Sequence, residues 1–511
     1  MDDRHTPVMI GCGQVTQRER DPLKALSPMD LMAQVAREAA QDAGPGQRLI
    51  EALDSLVVIR SFSDTSHRFA SPFGTYHNPP KSLANRIGAR GLRRYVYTHP
   101  GGNMPQYSVN RLSEQVARGE VSAAMVVGGE ALATQKAAER AKIRLDWNED
   151  PGGSMSVWGV DRRGWSDCED RHGARAAIYM YPMLENALRA SEGRTFAEHQ
   201  AVIGQLMARF AAVAAANPLA DRRDGFDAKR LTTVAPDNPY ISFPYTRLMN
   251  SNAFIDQAAA VIITSVAAAR ELGVPEDRWV FLHGCADGHD IWHMSERRDY
   301  HSCPAMKKVF EEAFRMAGIG FDEVDKIDLY SCFSSAVEIA CKEMGISPDD
   351  PRGLTVTGGL PFFGGPGNNY VTHSIAEMMK QVRAAPGSYG LVTANGNYVT
   401  KHSIGIYSTR RPATAFAPRD PDEVQAELDA QPRTPFVEFA EGEGTVETYT
   451  VMHDRDGPTG ALVFARRPDG TRFMASTPSD RSLLEAIEAQ EFIGAQGRVT
   501  HDDKTNRFVP S

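Results

Sequence analysis

The chain has 511 residues, 42% of them hydrophobic and 24% charged, which excludes a disordered polymer and leaves room for roughly two to four separate cores. Its formal charge of −9 at pH 7 argues against a general nucleic-acid or anionic-membrane binder, though not against a local basic patch. The six cysteines (Cys12, Cys168, Cys285, Cys303, Cys332 and Cys341) form no CxxC pair, so free thiols in a reducing compartment are expected.

The amino terminus, Met1-Asp-Asp-Arg-His-Thr-Pro, carries acid where a secretory leader is basic and then apolar, so a soluble, cytoplasmic protein is expected. Val8-Met-Ile-Gly-Cys-Gly-Gln-Val reads as a buried strand entering a glycine turn. Leu31, Met32, Val35, Ala36, Ala39 and Ala40 fall at helical spacing between Ser27 and the stop signal Gly44. A strand at Leu56-Val-Val-Ile, a helix from about Gln106 to Arg118 and a strand at 123–127 complete a βαβ alternation. This alternation predicts a largely parallel, helix-covered sheet. From about Thr134 to Pro244 the chain turns rich in Arg, Asp, Gly and Trp, with a long helical pattern at 196–215, and reads as an insertion.

The alternation resumes at Ala258. The run 258–269 is the longest nearly apolar one and is too short to span a bilayer. Helices are predicted over 306–317, 334–342 and 372–382, with strands over 326–330, 389–394 and 404–407. Residues 412–434 read as a linker. Beyond them, period-two alternation with Asp456-Gly and Asp469-Gly turns predicts an antiparallel β domain.

Four segments carry a resemblance to the thiolase superfamily. Thr98-His-Pro-Gly-Gly-Asn-Met through Val127-Gly-Gly-Glu resembles its nucleophile segment. Met249-Asn-Ser-Asn-Ala-Phe-Ile-Asp-Gln-Ala-Ala-Ala-Val, Asp328-Leu-Tyr-Ser-Cys-Phe and Thr357-Gly-Gly-Leu-Pro-Phe-Phe-Gly-Gly-Pro-Gly resemble three later signatures. The resemblance covers approximately residues 6 to 410 and is greatest to acetyl-CoA acetyltransferase-like proteins with an additional C-terminal domain. It implies an α/β fold, the duplicated thiolase fold of five αβαβα layers. Its halves would span 1–275 (with a loop-domain insertion at about 134–245) and 276–411. Residues 435–511 would follow as a small OB-like barrel, and a homodimer through the core is possible.

By the family's spacing, Gly102 stands on the reactive cysteine, Gly365 on the activating histidine and Asn395 on the second cysteine, so no acyl-enzyme can form there. Backbone N–H groups at Gly102 and Asn103, opening a helix, can still hold a thioester oxygen, with Gly365 and Asn395 beside them. Tyr330 stands where the family fixes a catalytic water and can hydrogen-bond a developing enolate. A loop with Tyr398, Lys401 and His402 lies at the end of a core strand, where α/β folds place chemistry. His373 could point into the same site. Cys332 reads as either a displaced reactive thiol or a small buried hydrophobe. Arg140, Lys142 and Arg144, early in the insertion, are candidate contacts for the CoA diphosphate.

Three functions follow from the resemblance: aldol or retro-aldol cleavage of a β-hydroxyacyl-CoA, non-catalytic acyl-CoA or lipid binding, and acyl transfer through Cys332. The acyl-CoA is the expected small-molecule partner, with no cofactor beyond the coenzyme A of the substrate. No metal is expected, since the cluster of His283, Cys285, His289 and His293 lacks a regular ligand pair.

Overall fold

The structure is a computed structural model and describes residues 2–511. A six-stranded sheet has the spatial order Pro7–Thr16, Asp256–Ser265, Ala123–Ala131, Ser55–Val58, Arg94–Thr98 and Ser156–Trp158. A four-stranded sheet has the order Val324–Asp328, Tyr389–Gly396, Lys401–Ser408 and Phe281–His289. The helices Met104–Ala117 and Tyr370–Ala384 lie between the two sheets, while Pro28–Asp42 covers the first sheet and Pro304–Ala317 the second. These are the five layers of the thiolase fold. Ala123–Ala131 and Asp256–Ser265 are buried along their whole length, which is why both read as unbroken apolar runs.

The sheets are mixed rather than largely parallel. Asp256–Ser265 runs antiparallel to both of its neighbours, and Lys401–Ser408 does the same in the second sheet. The reason for the second case is local: only Asn397 to Thr400 separate Tyr389–Gly396 from Lys401–Ser408, and so short a link can only make a hairpin. Lys401 and His402 are therefore strand residues, paired with Gly396 and Asn395, and not part of an enlarged loop.

Ser156–Trp158, from the insertion, pairs in parallel with Arg94–Thr98 and covers what would otherwise be the open edge of the first sheet. The C-terminal region closes a five-stranded barrel, because Gly442–Asp454 pairs with both Gly457–Arg466 and Gln496–His501. That closure is consistent with an OB-like domain. The insertion's Tyr240–Ser242 joins the same sheet through Ser242 and Met452. Both faces of Gly442–Asp454 are engaged: Tyr449 and Val451 pack in the barrel core, while Thr448 donates to the Met183 carbonyl on an insertion helix at 2.5 Å.

Candidate functional site

The helix Met104–Ala117 begins at Asn103, but the Asn103 side chain does not cap it. Its buried Oδ1 has no hydrogen-bond partner, unusual for an N-cap asparagine. Asn395, at the end of Tyr389–Gly396, also has an unpartnered Oδ1, although its amide donates to the Tyr181 hydroxyl at 2.9 Å. Among the described residues, the amides of Gly102 and Asn103 donate to no protein acceptor. The amide of Gly101 is held by Asn368 Oδ1 at 2.9 Å, and Asn368 is tied in turn to the Arg60 carbonyl at 2.8 Å.

The glycines here are dictated by what fills the space beside them. A Cβ on Gly102 would collide with the Tyr330 hydroxyl and lie 2.5 Å from the Asn395 carbonyl oxygen. A Cβ on Gly101 would come within 2.5 Å of Asn103 Oδ1 and 2.7 Å of Lys401 Nζ. On Gly396 it would meet Asn103 Oδ1 at 2.6 Å and Lys401 Cε at 2.9 Å. Gly365 is filled in the same way, since a Cβ there would collide with Ser251 Oγ.

Lys401 is buried, and its Nζ donates to the Pro100 carbonyl oxygen at 2.5 Å. Among the described residues it makes no ion pair, and the Trp292 ring lies 5.8 Å away. Burial lowers its ammonium to about 8. Burial pushes the Tyr330 phenol well above 10, so it stays protonated and acts as a donor. The turn before Lys401 carries two non-glycine residues in the left-handed region, Asn397 (φ 59°) and the β-branched Val399 (φ 57°). It is held by the Tyr181 hydroxyl on the Asn397 carbonyl at 2.8 Å. Arg297 also donates to the Tyr398 carbonyl and to Thr400 Oγ1, both at 2.7 Å.

The comparisons with known proteins agree with this architecture. Residues 423–504 match the family model of the thiolase-like protein type 1 additional C-terminal domain. A monomeric SCP2-thiolase-like protein type 1 from Mycobacterium smegmatis is 36% identical over 100% of both chains, with a TM-score of 0.86. The chain belongs to the type 1 thiolase-like proteins of the thiolase superfamily. A probable acetyl-CoA acetyltransferase from Mycolicibacterium smegmatis (strain ATCC 700084 / mc(2)155) is 30% identical over 130 residues, a match covering 25% of this chain and 30% of that relative. The Ltp2–ChsH2(DUF35) aldolase shares the fold at 18% identity and a TM-score of 0.59, over 79% of this chain and 98% of that one. Acetyl-CoA acetyltransferase from Syntrophomonas wolfei does so at 14% identity and a TM-score of 0.55, over 79% and 99%. The full-length relative is described as monomeric, which gives no support to the core homodimer expected from the sequence.

In this thiolase-like protein, Gly102, Asn103, Tyr330, Lys401 and the Asn395 carbonyl come together, and several other candidates do not reach that point. The Tyr398 hydroxyl donates to the Arg175 carbonyl at 2.6 Å, which points it into the insertion. His402 faces the opposite side of its strand from Lys401, where it lines a small cavity with Tyr330 and Asn395, and its Nε2 lies 3.2 Å from Cys303 Sγ; burial lowers its imidazole to about 4. His373 is sealed in the central layer with Nδ1 3.0 Å from Gln14 Oε1, and burial lowers it to about 3. Burial pushes the Cys332 thiol up to about 12, which disfavours the thiolate at neutral pH. Gly365 packs on Ser251 and Leu360 rather than on the Gly102 turn. Arg140, Lys142 and Arg144 are exposed near the end of helix Leu132–Ala141, with no hydrogen bond or ion pair to the residues around Gly102.

Two groups escaped the sequence reading. Asn368 follows the Gly-Pro-Gly that replaces the histidine signature, and only its place in the turn reveals its role. Glu185 and His199, from insertion helices, meet Glu338 in a buried cluster. His199 Nε2 lies 2.6 Å from Glu185 Oε1, and Arg194 donates to Glu338 at 3.2 Å. Burial and the neighbouring Glu185 raise Glu338 well above the carboxylate range. Among the described residues, no helix is long and apolar enough to cross a membrane.

Proposed function

We propose that this protein cleaves or forms the C–C bond of a β-hydroxyacyl-CoA by aldol chemistry, without an acyl-enzyme. The observation that carries the reading is the Tyr330 hydroxyl standing in the side-chain space of Gly102, next to two unpaired amides. A thioester oxygen held there accepts from the Gly102 and Asn103 amides and from the protonated phenol. In the cleavage direction a base takes the β-hydroxyl proton. The C–C bond then breaks as the β-carbonyl forms from the alkoxide, and the bond's electron pair passes to the thioester as an enolate. Protonation of the enolate α-carbon releases the shortened acyl-CoA. Lys401, with its ammonium lowered to about 8, supplies a fraction of neutral amine for the first step. An aldolase among the proteins of this fold agrees with the reading. Acyl-CoA thioesters are anionic and do not cross membranes unaided, so this substrate class goes with a cytoplasmic protein.

The test is incubation with a series of β-hydroxyacyl-CoAs, measuring carbonyl product and shortened thioester together. Turnover that survives in Tyr330→Phe would overturn the assigned role. A second reading, non-catalytic acyl-CoA binding, is favoured by the burial of Gly101, Gly102 and Asn103. Acyl-CoA binding with no turnover on any substrate decides for it.

A further inference from the structure

Lys401 is placed as a nucleophile is placed. It begins a strand directly after a strained four-residue turn, and glycines at 101 and 396 leave open the volume that its stem and amine enter. Its one hydrogen-bond partner is a carbonyl, and no carboxylate neutralises it. Asn103 Oδ1, buried and without a partner, flanks the same point as Nζ. A buried acceptor left unpaired costs stability, and here it faces the atom where a ligand hydroxyl would form. The charged groups around the amine are few: His99, which faces Asp161 at 3.9 Å and has Arg60 nearby, and Arg162, which lies 5.2 Å from the same Trp292 ring.

We propose that Lys401 is an amine nucleophile that captures a small aldehyde or ketone as a reversible imine. The inference rests on the reading that the reacting group sits against the Gly102 and Asn103 amides. The neutral Nζ lone pair adds to the carbonyl carbon, forming the C–N bond, while the carbonyl oxygen takes up a proton. The resulting carbinolamine hydroxyl donates to Asn103 Oδ1. Loss of that oxygen as water, together with the remaining N–H proton, leaves the C=N bond. Carbonyl and amine are consumed, imine and water are formed, and no oxidant is needed. The depressed ammonium supports the step, because only the neutral amine attacks.

The experiment treats the full-length protein with propanal or butanone at low concentration and sodium cyanoborohydride near neutral pH, then maps the alkylated lysines by peptide mass spectrometry. Lys401 is expected to label at least about tenfold faster than any surface lysine, with a pH midpoint near 8. In Lys401→Arg, that peptide should stay unlabelled while the surface pattern is unchanged. Surface labelling with Lys401 untouched in the wild type would overturn the proposal. Cleavage of a β-hydroxyacyl-CoA without a Lys401 adduct would overturn it too, while leaving the aldol reading standing. An adduct without any thioester turnover supports the amine site and sinks the aldol reading instead.

Discussion

The Tyr330 hydroxyl occupies the point where a side chain at Gly102 would begin. The two residues are 228 positions apart in sequence and come from the two halves of the fold, so the relation exists only once both sheets close on the central helices. It explains why the glycine is tolerated at a helix start, and it sets the first expectation. Tyr330→Phe removes one hydroxyl and keeps the ring packed at 5.7 Å against Tyr370. Turnover should fall by about a hundredfold or more, the usual scale for a proton-handling group. Binding of acyl-CoA, measured by calorimetry, should change little.

Restoring the missing thiol should fail. Gly102→Cys forces its Cβ onto the Tyr330 hydroxyl and the Asn395 carbonyl, and overpacking of this kind costs about 1–3 kcal/mol. Denaturant melts should show that loss, and no acyl-enzyme should appear by mass spectrometry. Adding Tyr330→Phe relieves the hydroxyl clash but not the contacts with the ring and with the backbone oxygen, so the double variant should recover only part of the loss.

Lys401 makes a prediction with a definite sign. Burial depresses its folded pKa to about 8 from 10.5, so between those values the folded protein binds fewer protons than the unfolded chain. Stability contributed at this site therefore rises with pH across that window, and the penalty is fully present below pH 8. Lys401→Met should remove a penalty of up to about 3 kcal/mol at pH 7, a gain that fades by about pH 10.5. Melts of both proteins across that range test it. A gain equal at every pH would come from apolar packing and not from the buried ammonium.

Much of the fold was legible because buried strands such as Asp256–Ser265 are apolar on both faces, and the motifs flanking them stay in order. The glycines at 102 and 365 were legible as losses. What fills their spaces was not, since Tyr330 and Ser251 reach them through tertiary packing that no spacing encodes. Tyr398 and His402 were misplaced for a simpler reason. The four-residue hairpin puts His402 into strand register, and alternation then sends it to the Cys303 face while Lys401 faces Gly101.

Arg140, Lys142 and Arg144 should contribute little to CoA binding. All three are exposed, and none bonds to the turn around Gly102. The triple alanine variant should bind CoA within about twofold of wild type by calorimetry, a change of about 0.4 kcal/mol, typical of surface substitutions. A tenfold loss would return the diphosphate to these residues.

The C-terminal barrel should prove inseparable from the core. Arg472, fully buried on Arg472–Ser476, donates to Glu447 at 2.6 and 2.7 Å and to the Ser295 carbonyl at 3.1 Å, and its guanidinium lies 4.5 Å over the Tyr300 ring. Ser295 and Tyr300 belong to the second half of the core, so one side chain bridges barrel and core. Removing Arg472 leaves Glu447 with Arg466 at 2.8 Å and strips the buried Ser295 and Arg297 carbonyls of a donor, which costs about 1–3 kcal/mol. Arg472→Ala should lose stability on that scale. A chain ending near Arg411 would further strip Tyr449 and Thr448 from the insertion helix, where Asn186 donates to the Tyr449 carbonyl at 2.9 Å. The truncated chain should be poorly soluble. If it instead stays folded, melts like the full chain and binds acyl-CoA with unchanged affinity, the barrel is an appendage and Arg472 bridges nothing of consequence.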